Sequence, residues 1–279
     1  MFRVRKALNH NTLIAISMED HQEYLLIGKG IGFGKKVSER FDIPEGSECT
    51  IYSLQEQTER GKAMEIIKGI EPIYLEIAGQ ILAKSETVFG KIDKKILFPM
   101  ADHIAFAVQR IRAGESISNP MTSDIRSLFY VEYKTAECIK EILKETLNVE
   151  IDEDEIGYIA LHIHSAIDDQ NVSLSMQMAM SVHQCIQTIE EETNHKIDVE
   201  SLSYNRLMNH IKYMIARVLR GEKLNLNMNE YMSNRFPTSY QIAADVCEQI
   251  KKQLSYSDFD EAEVGYLAMH IERVLADHK

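Results

Sequence analysis

The feature of this sequence that most constrains its fold is an internal repeat in its C-terminal part. Residues 102–117 (DHIAFAVQRIRAGESI) align without gaps with residues 209–224 (NHIKYMIARVLRGEKL), at an offset of 107. Residues 152–167 (DEDEIGYIALHIHSAI) match residues 260–275 (DEAEVGYLAMHIERVL) at an offset of 108, and this match aligns a glutamate, a tyrosine and a histidine. A repeat of this kind indicates that each copy is one structural unit. The sequence therefore predicts two modules of the same fold.

The spacing of apolar residues predicts that both copies are helical. From Arg60 to about Ser85 they recur every three to four residues, which is the period of an amphipathic helix. The rest of the repeated region also looks helical. Helix breaks are expected at prolines and at one polar stretch, namely Pro99, Pro120, Pro237 and residues 168–175.

The residues before the repeat have the pattern of strands. Short runs of β-branched and aromatic residues are separated by polar or glycine-rich turn signals, and the runs are Phe2–Leu8, Thr12–Ser17, Tyr24–Ile27 and Cys49–Leu54. Asn9, His10 and Asn11 form the first turn, because Asn tolerates left-handed backbone conformations. The predicted fold is therefore multi-domain. A small all-β N-terminal domain is expected in residues 1–58, followed by two duplicated all-α helical bundles in residues 65–171 and 172–279.

The distribution of charge restricts where a nucleic acid could bind. The 279-residue chain carries a formal net charge of −12, and a strongly acidic protein is a poor general binder of phosphate backbones. Residues 1–36, however, hold six basic and three acidic side chains. Any nucleic-acid contact is therefore expected at the N-terminus.

Composition also disfavours several function classes. No segment approaches the roughly 20 apolar residues of a membrane span, and the first residues contain no apolar signal region. We therefore expect a cytoplasmic protein without membrane insertion. The four cysteines stand singly, which disfavours a zinc cage and a disulfide framework. No metal ion or cofactor is expected.

A second unusual segment is rich in glycine. Residues 28–36 (GKGIGFGKK) place glycine at every second position up to Gly34. This spacing is neither the dinucleotide-binding GxGxxG pattern nor a Walker loop. It leaves a bare backbone flanked by lysines and Phe33, which suits close approach to a nucleic acid, with the ring available to stack on an unpaired base. A glycine-rich edge hairpin with solvated lysines is the alternative interpretation.

Four histidines occupy equivalent positions in the two copies, His103 and His162 in the first and His210 and His270 in the second. One explanation is a hydrogen-bonded histidine on a packing face. Another is a phosphoryl acceptor, since neutral imidazole is well suited to nucleophilic attack at cytoplasmic pH. A metal site is disfavoured because His162 and His164 are about 200° apart on a helix. A hydrolytic triad is disfavoured because no serine or cysteine nucleophile recurs.

An arginine follows the first histidine of each copy by seven residues. Arg110 follows His103 and Arg217 follows His210, which places each arginine two helical turns away on the same face. Either guanidinium could anchor a phosphate. An exposed arginine that favours solubility is the alternative interpretation.

The order of these motifs resembles that of the bacterial transcriptional antiterminators of the β-glucoside and glucose operon family. The tracts KALNHNTLIAI and LIGKGIGFGKK resemble the co-antiterminator RNA-binding domain of that family. The tracts DHIAFA, ALHIHSA, NHIKYM and AMHIER resemble its two regulation domains of the phosphotransferase system. The resemblance covers essentially the whole chain, and it is greatest to the glucose-type branch.

The resemblance implies a homodimer that binds a hairpin in a leader mRNA and so prevents an overlapping terminator from forming. The RNA contacts of the family correspond to Lys6, Asn11, Gly28, Lys29, Gly30 and Phe33. Lys29 stands where some relatives have Arg, which replaces a forked donor by a point charge. Such a protein is a regulator and not an enzyme.

The resemblance also implies control by reversible phosphorylation of the four duplicated histidines. In this family a sugar-specific permease, here of the glucose type, phosphorylates the first regulation domain when sugar is absent, and the RNA-binding dimer is lost. The HPr phosphocarrier is a candidate donor for the second domain. Glu272 occupies the place of His164, and Asn209 replaces the Asp before the first histidine, so we expect the two modules to differ as substrates.

Two other function classes remain open at this point. A histidine-dependent phosphoryl transferase would use the N-terminal sheet only for oligomerisation. A DNA-binding activator with the same regulation domains would carry a helix-turn-helix at its N-terminus, whereas this N-terminus is rich in strands.

Overall fold

The chain folds into two compact units. The computed structural model describes residues 1–44, 46–55, 57–58, 61–168, 172–194, 196–198, 201–254 and 259–276. One unit consists of residues 1–122 and 129–172, and the other of residues 123–128 and 173–279. The first unit therefore holds the β module together with the first helical module. The expected fold class, a small antiparallel sheet followed by helical domains, is confirmed.

The N-terminal residues form a five-stranded antiparallel sheet in the order β4-β1-β2-β3-β5. Its strands are β1 Phe2–Ala7, β2 Thr12–Ser17, β3 Glu23–Gly28, β4 Arg40–Phe41 and β5 Cys49–Ser53. Four of these strands agree with the expected runs to within one residue at each end. The strand β4 was not expected, because two residues carry no alternating pattern and only pairing with β1 defines them. A two-stranded ribbon follows, with β6 Gln57–Thr58 and β7 Gly61–Lys62.

The two faces of the sheet bury different apolar side chains, because successive residues of a strand point to opposite faces. The core on one face consists of Val4, Leu13, Ala15, Leu26, Ile31 and Phe41. On the other face Tyr52 packs edge-on against Phe98, with 6.4 Å between the ring centroids, and Ile27 lies next to Gly79. One face thus packs on the module's own loops and the other on the helical module of the same unit.

The rest of the described chain is mainly helical. The helices are α1 Ala63–Gly69, α2 Pro72–Phe89, α3 Leu97–Arg112, α4 Thr122–Leu128, α5 Tyr130–Ala136, α6 Ile139–Leu147, α7 Glu153–Asp168, α8 Val172–Thr193, α9 Leu202–Arg220, α10 Asn229–Arg235, α11 Pro237–Leu254 and α12 Ala262–Ala276. A short 3-10 helix, Lys94–Ile96, precedes α3. Among the described helices, none combines the length and the apolar character that crossing a membrane requires.

Prolines decide where several helices begin. The helix expected from Arg60 to about Ser85 is wrong, because this region contains two helices, α1 and α2. Pro72 begins α2, and the residue before it, Glu71, has an extended backbone, as a residue before proline prefers. The break expected at Pro99 is wrong. Pro99 lies in the first turn of α3, where a backbone N–H has no helical partner to lose. Pro237 begins α11, as expected of a helix break.

The two segments that recur in each copy of the repeat pack against each other. In the first unit α3 packs against α7, and in the second unit α9 packs against α12. The first histidine of each copy lies on α3 or α9, and the second lies on α7 or α12. Each module therefore brings its own pair of duplicated histidines to one helix interface.

Candidate functional sites

The first turn of the sheet and the glycine segment lie side by side and are joined by hydrogen bonds. The N–H of Gly28 donates to the backbone oxygen of Asn11, and that of Gly32 donates to His10, both at 2.9 Å. The side-chain oxygen of Asn11 accepts a third bond from the N–H of Gly30, also at 2.9 Å. Three of the residues expected to contact RNA are therefore adjacent in the structure.

Close backbone approach explains two of the glycines. A Cβ added at Gly32 would lie 2.2 Å from the backbone oxygen of Asn9, and one added at Gly28 would lie 2.8 Å from that of Glu48. Both positions exclude a side chain for reasons internal to the fold. Gly30 has open space around it but a φ of +72°, which favours glycine. The sequence predicts no separate role for Gly32, yet it is the most tightly enclosed of these three.

The other expected RNA contacts are residues of the surface. Lys6 on β1, Lys29 and Phe33 are exposed, and 69% of Phe33 is accessible to solvent. The ring of His10 meets that of Phe33 edge-on, with 5.2 Å between centroids. Two neighbouring exposed rings form a platform on which an unpaired base could stack. The sequence predicts only that His10 lies in the turn, because its contact with Phe33 depends on the tertiary structure.

The six basic side chains of this region do not contribute equally to its positive charge. Arg5 forms an ion pair with Glu23, and Lys35 forms one with Glu39 at 2.8 Å. The Lys35 contact holds the pKa of the Glu39 carboxyl below its ordinary value. Part of the excess positive charge is therefore neutralised within the module.

The first pair of duplicated histidines forms a buried cluster. His103 and His162 are 9% and 4% exposed, and their ring centroids are 5.5 Å apart. The Nε2 of His103 lies 3.0 Å from Oε2 of Glu155. The other carboxylate oxygen, Oε1, accepts from Nη2 and Nε of Arg110 at 2.6 and 3.2 Å. Glu155 therefore divides its two oxygens between a guanidinium and an imidazole.

Burial and pairing act in opposite directions on Glu155. Burial raises the pKa of its carboxyl, but interactions with His103 and Arg110 outweigh burial and hold the pKa below its ordinary value. The carboxylate is therefore ionised at neutral pH, and it is 1% exposed.

The second pair of duplicated histidines has a different arrangement. The rings of His210 and His270 are stacked, with centroids 4.6 Å apart. Glu263 uses both oxygens for Arg217, at 2.6 Å to Nε and 2.8 Å to Nη2. The Nε2 of His210 is 3.9 Å from Oε2 of Glu263, which is beyond hydrogen-bond distance.

Burial keeps both histidines of the second pair neutral. It is the main reason why the pKa of His210 falls to about 3, with smaller contributions from His270 and Arg217. Burial also lowers the pKa of His270 to about 4, with help from Arg273 and Arg206. Although Glu263 is near His210, desolvation dominates because no short contact compensates it.

The arginines that were considered as phosphate anchors are bound to carboxylates. Arg110 and Arg217 lie on the same helix face as the histidines, as the seven-residue spacing predicts, and each holds the glutamate of its own module. Glu155 and Glu263 align in the repeat, but the sequence alone predicts no role for them. Their recurrence beside a recurring histidine is the signal that identifies them.

His164 is held in a separate contact. Its Nδ1 lies 2.9 Å from Oε1 of Glu132, and its ring centroid lies 4.2 Å from that of Phe129. In the second module Glu272 occupies the equivalent position and accepts a hydrogen bond from Ser239 at 2.6 Å. The buried position of His164 thus has a structural explanation.

Comparisons with known protein families divide the chain in the same order. The model of the CAT RNA binding domain matches residues 2–60, and the model of the PRD domain matches residues 76–166 and 183–274. The three matches are consecutive along the chain and leave only short connecting segments unmatched.

Known proteins of similar sequence cover nearly the whole chain. The glcA/glcB genes antiterminator of Staphylococcus carnosus (strain TM300) is 30% identical over 96% of this chain and 94% of its own length. Protein GlcT of Staphylococcus saprophyticus is 31% identical over 100% of this chain and 99% of its own. The crystal structure of GlcT CAT-PRDI is 32% identical, with a TM-score of 0.51, over 60% of this chain and 98% of that structure.

Proposed function

Because the chain belongs to the bacterial transcriptional antiterminators that join a CAT RNA-binding domain to two PRD domains, we propose that it binds a leader-mRNA hairpin in a sugar operon and blocks terminator formation. The proposed domains are residues 1–58, 65–171 and 172–279. In this proposal the chain acts in the cytoplasm as a homodimeric regulator and not as an enzyme. The staphylococcal relative is named as an antiterminator of the glcA and glcB genes, and the sequence most resembles the glucose-type branch, so the proposed operon is of the glucose type.

The observation that carries the RNA proposal is the junction of the first turn with the glycine segment. It holds Asn11 and Gly30 together and places the exposed ring of Phe33 beside His10. The proposed roles are stacking for Phe33, base or backbone hydrogen bonds for Asn11, and phosphate contacts for Lys6 and Lys29. Gly28 and Gly30 contribute by letting the backbone take this path.

Selection of bound hairpins from a pool of leader RNAs, followed by titration with the full chain, tests this proposal. Phe33→Ala is expected to weaken binding by about 1–3 kcal/mol, because one base loses its stacking partner. Val37→Ala is the matched control, since Val37 is an exposed apolar residue of the same loop region, and it should bind normally. Equal binding by both variants would contradict the proposed surface, and no selected hairpin would contradict the function.

The second part of the proposal is that His103, His162, His210 and His270 accept phosphoryl groups from the phosphotransferase system. The proposed donors are the glucose-type permease for the first module and the HPr phosphocarrier for the second. The neutral state of the second pair supports this proposal, because a neutral imidazole has a lone pair for attack on phosphorus.

Burial of the histidines supports a regulatory outcome of phosphorylation. A phosphoryl group adds up to about two negative charges. On His103 this charge would lie beside the ionised Glu155, and neither side chain is well exposed to solvent. The module must therefore rearrange to admit the phosphoryl group, and this rearrangement is what the RNA-binding dimer would respond to.

A further inference from the structure

One acidic side chain of the first helical module lies on the surface proposed to bind RNA. Glu76, near the start of α2, directs both carboxylate oxygens at the first turn of the sheet. Oε1 accepts a hydrogen bond from Nδ2 of Asn9 at 2.5 Å, and Oε2 accepts one from Nδ2 of Asn11 at 2.9 Å. The hydroxyl of Thr12 lies 3.4 Å from Oε1. One carboxylate therefore engages three polar side chains of the turn.

This contact engages both ends of the Asn11 side-chain amide. The oxygen accepts from the N–H of Gly30, while the nitrogen donates to Glu76. The side-chain oxygen of Asn9 accepts from the backbone N–H of Asn11 at 2.9 Å, so this amide is also engaged at both ends. One N–H donor of each of these two amides is therefore directed at Glu76 on α2.

The space around Glu76 is a cleft of about 630 Å³ between the β module and α2. Asn11, Gly28 and Lys29, all expected RNA contacts, line one wall. Glu76 and Gln80 of α2 line the other. An RNA strand that reached Asn11 through this cleft would compete with Glu76 for the Asn11 side chain.

Glu76 offers the same kind of hydrogen-bond acceptor as the phosphate groups of a nucleic acid. A carboxylate has two anionic acceptor oxygens, and phosphate oxygens accept hydrogen bonds from Asn side chains in protein–nucleic acid complexes. We propose that Glu76 takes the place of an RNA acceptor group on Asn9 and Asn11, so that docking of α2 and binding of RNA exclude each other. This inference rests on the proposed RNA-binding function.

The helix that carries Glu76 also borders the first histidine cluster. α2 packs against α3, which bears His103, and against α7, which bears His162 and Glu155. A rearrangement at that cluster therefore reaches Glu76 through directly packed helices. The contact can thus report the state of the first module to the RNA surface.

Replacing Glu76 in the full chain tests the exclusion. Glu76→Ala is expected to increase the affinity for the selected hairpin about threefold to tenfold, because a docked fraction lowers the apparent affinity of the free surface. Glu86→Ala is the matched control. It removes the same charge from the same helix, but Glu86 pairs with Lys94 at 3.5 Å and lies about three helical turns from Glu76, and we expect less than about a twofold change.

Hydrogen exchange of residues 72–82, measured with and without RNA, provides a second readout. If RNA displaces α2, hydrogen exchange in this segment should accelerate, because the helix no longer packs against the β module. Protection of the segment by RNA, or weaker RNA binding by Glu76→Ala, would mean that Glu76 supports the RNA site and would overturn the inference.

The failure of this inference is distinguishable from failure of the proposed function. Equal hairpin affinity of the wild-type, Glu76→Ala and Glu86→Ala proteins would overturn the inference alone, because RNA binding itself would be intact. Absence of binding by all three proteins, at low salt as well, would overturn both. Thermal melts of the three proteins verify that each is folded before affinities are compared.

Discussion

The two histidine clusters contain the same residue types but differ in the contacts of their carboxylates. In the first cluster, Oε1 of Glu155 accepts a hydrogen bond from Arg110, and Oε2 lies 3.0 Å from Nε2 of His103. In the second, Glu263 gives both oxygens to Arg217, and His210 is 3.9 Å away. A change of less than 1 Å in one carboxylate contact therefore decides whether the first histidine of a module has an anionic partner.

The comparison shows that duplicated residues do not guarantee duplicated chemistry. The second pair stacks closely, at 4.6 Å against 5.5 Å between centroids in the first pair. Without a short carboxylate contact, burial dominates at His210 and its pKa falls to about 3. The residue before it differs as well, since Asn209 donates to the backbone oxygen of Asn205 at 2.8 Å. The two modules are thus expected to respond differently to the same phosphoryl donor.

The largest effect is expected when the histidines themselves are replaced. If His103 and His162 are inhibitory phosphorylation sites, their Ala variants should give antitermination without sugar. Their Asp variants should reduce antitermination, because a carboxylate imitates part of the added charge. The same changes at His210 and His270 should have a different outcome, given the different electrostatics of that cluster. A leader-reporter assay with and without glucose measures all eight variants.

His164→Ala is the matched control for this comparison. His164 is a buried histidine of α7, like His162, but it contacts Glu132 instead of the cluster. Its replacement should lower the free energy of unfolding by about 1–3 kcal/mol and leave the sugar response intact. A retained sugar response in His103→Ala and His162→Ala would refute the switch. A lost response in His164→Ala would mean that stability, and not phosphorylation, controls the assay.

A smaller effect is expected from replacing each glutamate by glutamine. At position 263 both oxygens accept from Arg217, so the new amide nitrogen of Glu263→Gln would face an N–H donor and cost about 1–3 kcal/mol. At position 155 one oxygen can still serve Arg110, while the amide nitrogen would face Nε2 of His103, a ring nitrogen that can act as donor or acceptor. Glu155→Gln should therefore cost less than Glu263→Gln in urea unfolding of the full chain. Equal costs would show that both carboxylates are arranged alike in solution.

The last expected difference appears only at acidic pH, in the pH dependence of stability. The folded-state pKa values of His210 and His270, about 3 and 4, lie below the ordinary value of 6.5. The folded second module therefore favours neutral rings, so their contribution to stability is complete above pH 6.5 and is lost as the pH falls towards 4. The pKa of Glu155 is lowered from 4.5, so its contribution is lost only below that pH.

Nuclear magnetic resonance titration of the histidine rings checks this prediction. The ring signals of His210 and His270, assigned with the corresponding Ala variants, should stay constant between pH 8 and pH 5, because both rings remain neutral. Urea unfolding at pH 7 and pH 5 should show a loss of stability that both Ala variants reduce. A ring that titrates near pH 6.5 would be solvated, which would contradict the half-buried arrangement of this cluster.

Features that depend on a few neighbouring residues were predictable from the sequence. The runs at the N-terminus became strands within one residue of their expected ends, because alternation and turn signals act locally. The four histidines can be selected from the sequence because they occupy equivalent positions in the two copies of the repeat. The sequence does not predict the break at Pro72, because the spacing of apolar residues continues across it. It does not predict the two-residue strand Arg40–Phe41 either, because that strand depends on pairing with β1.

The sequence by itself determined that a small strand-rich domain precedes two copies of a helical module, and which residues recur on equivalent helix faces. Only the tertiary structure decided that Glu76 contacts Asn11, sixty-five residues earlier, and that Glu155 and Glu263 bind their neighbours differently. The physical reason is range. Helix and strand periods are set by local backbone geometry, whereas a hydrogen bond between distant elements forms or fails over a few tenths of an ångström that the packing of whole helices determines.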